Sequence, residues 1–84
     1  MFKEEYKEQA IRIGELILET IEEVKEELES NDRMTDSAID FFDGIEERTQ
    51  SIIDYANENN GATEKQLLAL NNMRDGVNKW KRED

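Results

Sequence analysis

The sequence predicts an all-α protein, an antiparallel three-helix bundle in which a long helix 1–helix 2 hairpin is completed by a shorter helix 3. Three observations lead there. The 84 residues include no proline and four glycines, so few positions break a helix. Apolar residues recur at alternating spacings of four and three in three separate segments, as expected for one buried face per helix. Two short polar stretches, Ser30-Asn31-Asp32-Arg33 and Asn59-Asn60-Gly61, divide those segments, and connections this short turn neighbouring helices antiparallel.

Helix 1 is expected at about 3–30, where Ala10, Gly14, Ile17, Ile21, Val24 and Leu28 form the seam, extended upstream by Tyr6 and widened by Ile11, Ile13 and Leu18. Helix 2 is expected at about 35–59. Thr35 is its N-cap, and Asp36 suits the positive end of the helix dipole. Met34 and Ile39 occupy the two positions of a hydrophobic staple. The seam runs Ala38, Phe42, Ile45, Thr49, Ile52 and Ala56, with Ile39, Phe41 and Ile53 beside it. A stripe that wide predicts two neighbours for helix 2. Gly61 is assigned the left-handed position that ends the helix.

Helix 3 is expected at about 63–81, opened by a Thr63–Gln66 capping box. Its seam is Leu67, Leu70, Met73, Val77 and Trp80, and Lys79, Lys81 and Arg82 complement the dipole at its end. Counting along the antiparallel helices brings Trp80, Phe42 and Val24, with Phe41, to one end of the core. Beyond that level the hairpin projects as an acidic tip spanning about 25–40. A core this small also admits a second architecture, a long hairpin that pairs with its copy as a homodimer.

The length allows a single domain, residues 1–84. With no cysteine there are no disulfides and no thiolate ligands, and with no histidine the commonest general base and metal ligand are missing. Ser30, Ser37 and Ser51 have no evident partner base. No phosphate-cradling glycine loop, no EF-hand loop and no Glu-x-x-His pair of a di-iron bundle occurs. These gaps predict a protein that is not an enzyme, with no catalytic residues, no cofactor and no metal. No apolar run approaches the roughly 20 residues of a membrane span, and the N-terminus lacks a signal-peptide layout. The expected location is cytoplasmic.

The net charge is −11, unevenly spread. Residues 1–33 and 34–60 each carry −6, whereas 61–84 carry +1. On helix 2, Asp36, Asp40, Asp43, Glu47, Asp54 and Glu58 follow one another at helical spacing, and on helix 1 so do Glu15, Glu19, Glu22, Glu26 and Glu29. Carboxylates one turn apart climb about 6 Å, against roughly 3.4 Å per phosphate along a DNA strand. Two such stripes side by side would present a ladder that a Lys/Arg-lined nucleic-acid groove accepts. Glutamate is also a good helix former, so the same stripes fit a merely solvated face. What favours the ladder is helix 2, where Arg48 is the one balancing base between residues 34 and 60; a solvated helix ordinarily mixes signs. The expected partner-binding residues are Glu19, Glu22, Glu26, Asp36, Asp40, Asp43 and Glu47. Such a surface repels nucleic acid and anionic membranes and attracts basic proteins.

Two features invite other chemistry. Arg74, Lys79, Lys81 and Arg82 with Trp80 suit contact with a phosphate backbone and a base, but Trp80 continues the seam three residues after Val77, which assigns it to the core. Phe41 and Tyr55 border the apolar stripe and suit either a core edge or a partner anchor.

Glu23-x-x-Glu26 followed by Asp40-x-x-Asp43 resembles the E-x-x-E and E-x-x-D pairs of all-α nucleoside triphosphate pyrophosphatases. That resemblance implies carboxylates holding Mg²⁺, and it departs from the family at Asp40, where glutamate is usual. The stretch Thr63-Glu64-Lys65-Gln66-Leu67-Leu68-Ala69-Leu70 resembles the T-x-K-Q-x-x-A-L helix of many small phage and prophage proteins. The overall profile resembles acidic counter-defence proteins of phages, anti-CRISPR and anti-restriction inhibitors, a group that no residue motif defines.

The leading expectation is therefore a phage-type inhibitor that imitates DNA charge and binds a basic nucleic-acid-handling host defence protein. The first alternative is a helical accessory or adaptor of phage DNA metabolism working by apolar contacts or self-association. The second is the Mg²⁺-dependent pyrophosphatase.

Overall fold

The computed structural model describes residues 3–82, with side chains through residue 80. It is a three-helix bundle: α1 (Glu4–Ser30), α2 (Asp36–Asn59) and α3 (Glu64–Arg82). Gly14 meets Ile53 and Lys25 meets Glu46, while Phe42 meets Trp80 and Thr49 meets Met73, so the partners descend in number as the chain ascends and sequential helices run antiparallel. No described helix is long and apolar enough to cross a membrane.

Local chemistry sets several of the helix ends, although α1 begins after Lys3 with no side-chain cap. The α1 C-terminus closes in a Schellman arrangement. Asp32 adopts φ 56°, the Arg33 amide donates to the Leu28 carbonyl at 2.8 Å, and the Asp32 amide donates to the Glu29 carbonyl at 3.2 Å. The α2 N-terminus is capped by Thr35, whose Oγ1 accepts from the Ala38 amide at 3.1 Å. At the start of α3 the capping box is complete. Thr63 Oγ1 accepts from the Gln66 amide at 3.1 Å, and Gln66 Oε1 accepts from the Thr63 amide at 3.0 Å. The side chains of Lys81 and Arg82, expected to complement the dipole at the far end, lie outside the described residues.

The end of α2 differs from the expected form. Asn60, not Gly61, takes the left-handed conformation, at φ 50°. Asparagine visits this region more readily than most non-glycine residues. Gly61 is needed for a different reason. Lys3 and Ala62 form an antiparallel bridge, each amide donating to the other's carbonyl at 2.9 and 3.1 Å. A Cβ on Gly61 would stand 2.9 Å from the Lys3 carbonyl oxygen. The start of α1 is thereby tied to the α2–α3 connection, which sets α1 and α3 parallel.

The core contains Ala10, Ile17, Ile21, Val24 and Leu28 from α1, Ala38, Phe42 and Ile45 from α2, and Leu70 and Val77 from α3. Burying a large apolar side chain completely stabilises the fold by about 1.5–3 kcal/mol, so Phe42, Ile17, Ile21 and Leu70 carry much of it. The α1 seam is buried at all six expected positions. On α2, Ile53 replaces Ile52 in the buried seam, and Ile52 is half-buried. The cause lies on α1: Gly14 leaves a notch that Ile53 fills.

The helix with two close neighbours is α1, not α2 as the wide α2 stripe had suggested. Small residues, Ala10 and Gly14, let α1 approach closely. Between α2 and α3 the contact is made by bulky groups instead. Phe42 and Trp80 have ring centroids 5.3 Å apart, Phe41 and Trp80 6.0 Å, and the buried Thr49 hydroxyl lies 3.9 Å from the Met73 sulfur. Beside these contacts α2 and α3 leave an open groove. Trp80 packs on Phe42 in the cluster that holds Val24, with Phe41 at its edge, 38% exposed, but the core runs on past this level to Leu28 and Ala38, so the projecting tip is shorter than the expected 25–40. Met34 packs on the core, while its staple partner Ile39 stays 39% exposed.

Candidate functional site

All seven expected contact residues, Glu19, Glu22, Glu26, Asp36, Asp40, Asp43 and Glu47, are exposed. The seams that bury Ile21 and Phe42 force this, because carboxylates about half a turn from the seam point to solvent. Packing then decides which of them meet. Glu22 from α1 and Asp43 and Glu47 from α2 line one shallow groove together with Leu18, Glu46 and Gln50. Glu19 and Glu26 lie beside it on α1, where they line a second depression with Glu22, Glu23, Lys25 and Glu29. Asp36 and Asp40 line neither depression. They sit about 10 and 5 Å further along α2 than Asp43, toward the hairpin tip.

Two groups that sequence reasoning passed over complete this face. Lys25 Nζ donates to Glu46 Oε1 at 2.6 Å and approaches Asp43 Oδ1 at 3.4 Å, joining α1 to α2. The hydrogen bond to Glu46 raises the Lys25 pKa above its ordinary value; partial burial opposes this, and the charges of Glu46 and Asp43 reinforce it. Asp43 is thus already paired within the chain, which sets it apart from the other six. A signal for Lys25 existed in the sequence: it is the single base between Arg12 and Arg33 and follows the seam residue Val24 directly.

Arg48, the one base between residues 34 and 60, lines the groove between α2 and α3 with Glu47, Gly44, Ile52, Ala69 and Met73. Arg12 pairs with Glu8 along α1 at 3.1 Å, and Lys7 donates to Asn60 Oδ1 at 3.0 Å. Among the described residues the α2 stripe makes one ion pair, from Asp43 to Lys25 of α1.

The Glu23, Glu26, Asp40 and Asp43 pattern does not converge. Glu23 and Glu26 line the α1 depression, while Asp43 lies in the interhelical groove on Lys25. Among the described residues no group of three or more carboxylates is placed to hold a metal ion. Trp80 packs on Phe41 and Phe42, and Phe41 and Tyr55 are part-exposed, at 38% and 47%. Compared with family models, with curated proteins and with solved structures, the chain matches none of them.

Proposed function

We propose that this chain is a binding protein and not an enzyme, a phage-type counter-defence inhibitor of the anti-CRISPR or anti-restriction kind that works in the cytoplasm. In this reading the acidic α1/α2 face stands in for a nucleic-acid backbone and occupies the basic groove of a nucleic-acid-handling host protein. The observation that carries it is that Glu22 of α1 and Asp43, Glu46 and Glu47 of α2 line one groove, a concentration of carboxylates that Lys25 offsets at Asp43 and Glu46. A dense single-sign field draws an oppositely charged surface and speeds encounter.

The test uses the purified chain as bait in host lysate at low and high salt. Capture of a DNA- or RNA-handling protein, competed by nucleic acid and weakened by salt, supports the reading. A variant with Glu19, Glu22, Glu26, Asp36, Asp40 and Glu47 changed to their amides should lose that capture while keeping its helical circular dichroism. Equal capture by the folded variant would overturn the proposal.

The adaptor reading keeps one observation in its favour. Leu16, Phe41, Tyr55 and Leu68 are exposed apolar side chains, of the kind that anchors partners through area and not charge. A captured protein that resists high salt and depends on Phe41 or Tyr55 would select that reading.

A further inference from the structure

We draw no further inference here: the strongest candidate, the open groove between α2 and α3 lined by Gly44, Arg48, Ile52, Ala69 and Met73, carries nothing because nothing in the structure shows what covers it.

Discussion

Ile53 occupies the space that Gly14 leaves on α1. A Cβ built on Gly14 would stand 2.7 Å from Ile53 Cδ1, 2.8 Å from Ile53 Cγ1 and 3.3 Å from Thr49 Cγ2. The two helices are thus as close as a glycine permits, and this contact explains why Ile53 and not Ile52 is the buried isoleucine of α2.

The contact makes the helical glycines unequal. Alanine at an unobstructed helix position is worth about 0.5–1 kcal/mol over glycine, and overpacking a core costs about 1–3 kcal/mol. Gly44 has nothing within 4 Å of its missing Cβ, so Gly44→Ala should stabilise by about 0.5–1 kcal/mol. Gly14→Ala should destabilise by about 1 kcal/mol, because the clash with Ile53 Cγ1 exceeds the helix gain. Urea unfolding of both variants measures this. A stabilised Gly14→Ala would mean that Ile53 shifts freely.

Phe42 is fully buried and touches the ring of Trp80. Phe42→Ala should cost about 3–5 kcal/mol, a large share of the stability of so small a domain. Trp80 is the chain's single tryptophan, so its emission should shift to the red as the aromatic end opens. Unchanged emission and midpoint would contradict the packing described.

The capping box can be tested at Thr63. Thr63→Ala removes the acceptor of the Gln66 amide and should cost about 1 kcal/mol. Thr63→Ser keeps the hydroxyl and should cost less. Equal losses would assign the effect to the methyl group instead.

Lys25 gives the molecule a pH signature. Its folded pKa is raised, chiefly by Glu46. Its contribution is therefore fully present below the unfolded lysine value of about 10.4 and is lost as pH rises through the higher folded value. The stability difference between the native chain and Lys25→Met should be constant from neutral pH to about 10 and shrink above it. Thermal melts of both proteins across pH 7–11.5 check this; a difference that persists at the alkaline end would show that Lys25 acts through its aliphatic stem.

Crowded carboxylates should also make the fold salt-sensitive. The net charge of −11 repels itself over a screening length that shrinks from about 30 Å at 0.01 M salt to about 8 Å at 0.15 M. The melting temperature should rise over that interval. A flat or falling midpoint would show that Lys25 and the other bases already offset the repulsion.

The amino-acid sequence by itself determined the helices, their caps and nearly all of the core. A helix buries a face of fixed period, and Thr35, Thr63 and Gln66 act on neighbours within the same turn, so these features are local and legible. The α1 seam from Ala10 to Leu28 and the carboxylates opposite the seams follow from that period alone. Tertiary structure decided what depends on contacts between segments. It selected Ile53 over Ile52, because the notch at Gly14 belongs to another helix. It gave Gly61 its role through Lys3, some sixty residues away, and left the left-handed turn to Asn60. It made α1 the central helix, whose small residues Ala10 and Gly14 admit close neighbours. Within the acidic face it gathered Glu22, Asp43 and Glu47 around one groove, left Asp36 and Asp40 outside it, and brought in Lys25 and Glu46. A side chain's pairing across helices depends on their rotation and spacing, and no single-helix period contains either.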